Sequence, residues 1–273
     1  MVETHQTRVN NITVSYLLKP SEEPDPLTLV FIHGFPFDST IWLSQLKSLS
    51  DNVQGIAYDV RGFGNTSAGH TFYSIDLFAR DLLTFVDHMS TGRTVLCGIS
   101  MGGYIALRAA EINPARFSAL VLSDTNAQAD TDTGKLKRFE TIEQVMAGGK
   151  EEFCTNFLKN LFSEHTFDTN RNAVELIERI ILRTPGSVIC SAQLALASRT
   201  STMEFLSSSS LPLLILRGQE DKLMTAEQAA ELASGAGPSE YFEIPGAGHL
   251  PNLENPEVFN QLLSSFLNKH FPV

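Results

Sequence analysis

A mostly parallel, doubly wound α/β sheet is the fold that this 273-residue chain predicts. Three observations carry the expectation. Short aliphatic runs alternate with segments of helical spacing over much of the chain. The runs are apolar almost throughout, as strands covered on both faces must be. One long stretch, 127–206, breaks the alternation with helical patterns and no strand.

Taken in order, TRVNNITVSYLL reads as a hairpin turning at Asn10 and Asn11, which adds antiparallel strands at one sheet edge. LTLVFIH (ending at His33), VQGIAYD (53–59), RTVLCG (93–98), FSALVLSD (117–124), LPLLILRG (211–218) and EYFEIPG (240–246) read as buried strands. SIDLFARDLLTFVDHM (74–89) and PEVFNQLLSSFLNKH (256–270) have helical spacing. Inside the long helical stretch, Phe153, Phe157 and Leu161 recur four apart, and Val174, Ile177 and Ile181 share one face. Gly148-Gly149 and Pro185-Gly186 punctuate these helices, and SSSSLP (207–212) returns the chain to the sheet. The expected organisation is a core of residues 1–126 and 207–273, with a helical cap (127–206) inserted after strand six.

Composition narrows the classes of partner. No apolar run approaches the ~20 residues of a membrane span. The opening MVETHQTRVNNITVSYLLKP lacks a basic segment followed by an apolar one, so a secretory signal is not expected. Cys97, Cys154 and Cys190 are too few and too scattered for a disulfide framework or a zinc site, which suits a reducing, cytoplasmic compartment. A formal charge of −11 argues against nucleic acid or an anionic membrane as partner. With no H-E-x-x-H and no phosphate-binding loop, neither metal nor cofactor is expected.

The chemistry starts at TVLCGISMGGYIALRAA (94–110), where Gly98, Ser100 and Gly102 form G-x-S-x-G. Chance alone yields that pentapeptide in roughly one such chain in ten, so its surroundings decide. Strand, glycine-rich turn and helix together make the setting of a nucleophile elbow, with the serine hydroxyl exposed beyond the sheet edge. A serine needs a positioned base. His249 lies in GAGHLPNLENP, after the last strand and before the last helix; His33 competes, but fits a structural hydrogen-bonding role better. The base needs a carboxylate to hold its tautomer. RGQEDKL places Asp221 just past a strand, although Glu220 and Asp124 are alternatives, and Asp124 also suits a turn or helix cap. Phe35, extended before Pro36, and Met101, directly after the serine, can offer backbone amides to an oxyanion.

HGFPFD, DVRGFGNTS, GISMGG, RGQEDKL and GHLPNLENP follow one another in order, each at an expected strand end. From residue 28 to the C-terminus the chain thereby resembles the α/β-hydrolase superfamily. The resemblance implies a Ser100–Asp221–His249 triad, an oxyanion hole from the amides of Phe35 and Met101, a helical cap after strand six, and often a cis Phe35–Pro36 peptide. Gly62-Phe63-Gly64 is no dinucleotide fingerprint, because Ser67 stands where the third glycine belongs. Epoxide hydrolases and haloalkane dehalogenases carry an aspartate at the elbow; serine here favours an acyl-enzyme. GISMGG and LVLSDT (120–125) look most like the 3-oxoadipate enol-lactonase group and its esterase relatives. The expected activity is therefore hydrolysis of a small carboxylic ester or lactone. A C–C bond hydrolase, a perhydrolase and a slow-turnover ligand receptor stand as alternatives on the same triad. Arg138, Arg171, Arg179, Arg183 and Arg199 are candidates for anchoring a substrate carboxylate.

Overall fold

The structure, a computed structural model, describes residues 1–70, 72–90 and 92–272. β1 (Glu3–Val9) and β2 (Ile12–Lys19) form the hairpin, turning at Asn10 with a left-handed φ of 51°. Asn and Gly tolerate that conformation best. β3 (Leu27–Ile32), β4 (Val53–Tyr58), β5 (Thr94–Ile99), β6 (Ala119–Ser123), β7 (Leu213–Gly218) and β8 (Ser239–Ile244) complete one sheet. Its order is β1-β2-β4-β3-β5-β6-β7-β8. β2 pairs antiparallel with β1 and β4, and every later pairing is parallel.

All residues of β3, β5, β6 and β7 are buried, which explains why their runs are apolar almost throughout. β8 differs from its sequence reading as a buried strand. It is the outermost strand, only Ile244 is buried, and Phe242 is exposed. An edge strand needs one covered face, and its glutamates at 240 and 243 sit where water reaches them.

Helices cover both faces of the sheet: α1 (Leu43–Ser48), α2 (Ile75–Met89) and α3 (Met101–Ile112). Ser74 caps α2 by accepting from the Leu77 amide, and Ile75, Phe78, Leu82 and Phe85 turn inward at helical spacing. Between β6 and β7 lie α4 (Asp132–Met146), α5 (Lys150–Leu161), α6 (Glu164–Thr169), α7 (Arg171–Arg183), α8 (Gly186–Ala197) and α9 (Met203–Ser208). That segment contains no strand among the described residues. α9 takes in Ser207 and Ser208, so the return to the sheet begins two residues later than the serine run suggests. α10 (Ala226–Gly235), α11 (Pro251–Glu254) and α12 (Pro256–His270) follow β7 and β8. Among the described residues no single helix is long and apolar enough to cross a membrane.

The loop DVRGFGNTS is structural. Both carboxylate oxygens of Asp59 accept from backbone amides, Ser39 at 2.8 Å and Asn65 at 2.8 Å. Gly64 has φ 54°, and a Cβ there would overlap the Asp59 carboxylate. Arg61 is buried and forks onto Asp81 of α2 at 2.6 and 2.8 Å. Its charge is spent on the scaffold.

Candidate active site

β5 ends at Ile99 and α3 starts at Met101, so the entire reversal falls on Ser100, at φ 54° and ψ −119°. Such a conformation costs on the order of 1–3 kcal/mol and persists only where the surroundings enforce it. Here the Ser100 amide donates to the Ser123 carbonyl at 2.9 Å, and the Thr125 hydroxyl donates to the Ser100 carbonyl at 2.8 Å. The flanking glycines are required by close approach. A Cβ on Gly98 would meet the Gly102 carbonyl, and one on Gly102 the carbonyls of Ile32 and His33. The G-x-S-x-G spacing is thus the footprint of a helix pressed against two strand ends.

Ser100, His249, Phe35 and Met101 line one cavity of about 310 Å³. Phe35 follows β3, and its peptide bond to Pro36 is cis. Its ring packs against Phe63 and against Phe153 and Phe157 of α5. The inserted helices therefore form a wall of the cavity.

His249 is buried in the loop after β8. The His249 amide donates to the Leu161 carbonyl at 2.7 Å, tying this loop to the end of α5. Nδ1 lies 2.8 Å from Oδ2 of Asp221. The other oxygen, Oδ1, accepts from the amides of Leu223 at 2.7 Å and Met224 at 3.1 Å. Burial opposes ionisation of Asp221. The adjoining His249 ring, its hydrogen bond and that of the Leu223 amide outweigh it, holding the carboxyl below its usual range. An ionised acceptor on Nδ1 fixes the tautomer that leaves Nε2 able to take a proton.

Asp124 is neither a turn former at the surface nor a helix cap; Thr131 caps α4. It is buried at φ 46°, beside Asp221 rather than on the imidazole. Atoms of Asp124, Asp221 and His249 come within 4.8 Å of one another, a spacing that could suit a cation. Their donor atoms are already spent on one another and on the Gly218, Leu223 and Met224 amides, so the cluster does not fit an ion.

His33 is fully committed elsewhere. Its Nδ1 donates to the Gly34 carbonyl at 2.8 Å, and its Nε2 accepts from the Val60 amide at 2.9 Å. Burial holds His33 below its usual pKa, against the Gly34 hydrogen bond and the charges of Asp59 and Asp38. The unfolded chain therefore binds a proton that the fold refuses once pH drops below about 6.5. Stability is expected to fall with pH through that value, by up to about 1.4 kcal/mol per pH unit from this group. Melting curves from pH 7.5 to 5 check it: His33→Asn should flatten the slope, and parallel curves would refute the assignment.

The five arginines divide. Arg183 pairs with Asp38 and Arg199 with Asp130, while Arg171 and Arg179 are exposed. Only Arg138 of the five lines the Ser100 cavity; it pairs with Asp130 at 3.1 Å and donates to the side-chain oxygen of Gln193 at 3.2 Å.

A sequence-family model described as the alpha/beta hydrolase fold matches residues 28–256. The chain belongs to this family. It is similar to 3-oxoadipate enol-lactonase 1 of Acinetobacter baylyi, at 28% identity over 268 residues covering 98% of each chain. It also superposes on a thermophilic esterase from Thermogutta terrifontis, solved with malate bound, with TM-score 0.91 and 30% identity over 98% of this chain and 99% of that one. The enol-lactonase from Burkholderia xenovorans LB400 shares the fold at TM-score 0.89 and 22% identity, covering 97% and 100% of the two chains.

Within this α/β hydrolase, one supporting residue escaped the sequence reading. Glu254 accepts from the amides of Gly248 and Leu250 with one oxygen, and from the Ser163 amide and Thr166 hydroxyl with the other. It pins the His249 loop to the start of α6. The only sequence trace was its place in GHLPNLENP, which by itself assigns it no partner.

Proposed function

We propose that the protein is a serine hydrolase that cleaves a small carboxylic ester or lactone through an acyl-enzyme. Ser100 is the nucleophile, His249 the general base and acid, and Asp221 the carboxylate that orients the imidazole. The backbone amides of Phe35 and Met101 form the oxyanion hole. The observation that carries this reading is the Asp221–His249 pair, 2.8 Å apart, with His249 and the strained Ser100 on one cavity.

His249 Nε2 takes the Ser100 proton as Oγ attacks the carbonyl, and Asp221 stabilises the imidazolium that forms. The two amides receive the negative charge of the tetrahedral oxygen, and each such donor contributes about 10²–10³ in rate. His249 then protonates the leaving alkoxide and activates water to release the acid. Side chains, amides and water carry every step, so neither metal nor cofactor enters. The names of the relatives, an esterase and two enol-lactonases, favour ester or lactone over C–C bond cleavage. A cavity of about 310 Å³ suits a small substrate. In this reading residues 127–206 are a cap domain that writes specificity, the partner is a small molecule rather than nucleic acid or membrane, and the enzyme is cytoplasmic.

Turnover on a panel of esters, lactones and thioesters tests the class, with mass spectrometry of the quenched reaction reading the intermediate. An acyl adduct on Ser100 with multiple turnover is the expected result. Slow release after a single turnover would favour a receptor instead.

A further inference from the structure

We propose that Asp124 is a positioning residue: a neutral carboxylic acid that donates a hydrogen bond to the Asp221 carboxylate and holds it on His249. The role rests on the triad reading above, but its key observable does not require catalysis.

The geometry begins with the backbone. The Asp124 amide donates to the Leu216 carbonyl of β7 at 2.9 Å, and φ 46° then turns the residue out of strand register. Aspartate enters this left-handed conformation more readily than most side-chain-bearing residues, but its carboxyl still needs contacts to hold it in one place. Two contacts do. Oδ1 accepts from the Gly218 amide at 2.8 Å, and Oδ2 lies 2.6 Å from the Ser123 hydroxyl, which donates to it. That leaves the buried carboxyl facing Asp221, with ligand atoms of the two acids and His249 all within 4.8 Å of one another.

Two buried carboxylates side by side cannot both keep their charge cheaply. The donors decide which one does. Asp221 collects three: the Leu223 and Met224 amides and the His249 ring. Asp124 collects two and has no cation of its own. Arg217 of β7 is the nearby cation, but it donates to the carbonyls of Met224, Gln219 and Asp221 and to Glu243 of β8. No arm of it is bonded to either carboxyl of the pair. His249, on the loop after β8, already faces Asp221. Burial, and then the Asp221 charge, push the Asp124 carboxyl well up from the usual range, against the pull of its Ser123 and Gly218 hydrogen bonds. The hydrogen bonds then run one way: Ser123 hydroxyl to Asp124, the Asp124 proton to Asp221, and Asp221 accepting from His249.

Infrared spectroscopy of the wild-type protein labelled with ¹³C-carboxyl aspartate tests the protonation state. A protonated-carboxyl C=O band is expected at pH 7, and it should vanish in Asp124→Asn. Absence of the band in the wild type overturns the proposal even if no variant folds. The kcat/KM profile supplies the second readout. Asp124→Asn exchanges one neutral donor for another, so the acid limb should stay within about 0.3 pH units. Loss of a charged neighbour would instead move it down by about one unit, and that shift would refute a neutral Asp124. Asp124→Ala removes the donor, and kcat should fall at least tenfold below that of Asp124→Asn; equal rates would overturn the positioning role. Failure of the triad itself would show separately, as turnover that survives loss of the Ser100 hydroxyl while the infrared band persists.

Discussion

Ser100→Ala is expected to lower kcat for ester turnover by about 10⁴–10⁶-fold and to move Tm by no more than about 3 °C. The two halves of this expectation have separate causes. The contacts that hold the turn belong to the Ser100 backbone, whose amide and carbonyl bond Ser123 and Thr125. Alanine keeps both, and its Cβ occupies the same place at φ 54°. What disappears is the oxygen that would attack the carbonyl. The amides of Phe35 and Met101, proposed as the oxyanion hole, and the cavity survive, so a residue of catalysis over water should remain. Retention of more than a tenth of the rate would mean that Ser100 is not the nucleophile.

Asp221→Asn is expected to cost on the order of 10⁴ in kcat, and Asp124→Asn less than about tenfold. The surroundings of Asp221 decide which way an amide would sit. The Leu223 and Met224 amides both need an acceptor, so the carboxamide oxygen takes the place of Oδ1. Its NH₂ then faces His249 Nδ1 and forces the proton onto Nε2. That tautomer cannot accept the Ser100 proton. At Asp124 the same exchange is mild, because the carboxamide oxygen can still accept from the Gly218 amide while the NH₂ points to Asp221. A crippled Asp124→Asn beside an active Asp221→Asn would move the orienting role to Asp124 and leave the serine and histidine assignments standing.

Much of this architecture is local and therefore written in short stretches. The runs LTLVFI and LLILRG lack polar/apolar alternation, with only Thr28 and Arg217 polar, because helices cover both faces of β3 and β7 and burial on two faces removes the period-two signal. Gly98 and Gly102 announce a helix packed on strand ends, since no side chain fits there. EYFEIPG is ambiguous, because its tyrosine, phenylalanine and isoleucine satisfy a buried strand and a half-covered edge strand equally well. Position in the sheet settles that, and position comes from pairing with β7 alone.

The α/β alternation, the serine at a strand-to-helix turn, and the chain order of serine, aspartate and histidine are all legible in the order of residues. Each depends on the sterics and periodicity of neighbouring residues, which the order of side chains specifies directly. Which carboxylate meets the imidazole, what Glu254 holds together and which arginine reaches the cavity depend on how distant segments pack. Asp221 and His249 are 28 positions apart, Asp124 and Gly218 94 apart, and Gly248 and Glu254 meet residues of the inserted helices. Those encounters follow from strand register and helix docking, where a shift of a few ångströms exchanges one partner for another. Asp124 and Asp221 both follow a strand, and the choice between them lies in how β6, β7 and the loop after β8 converge.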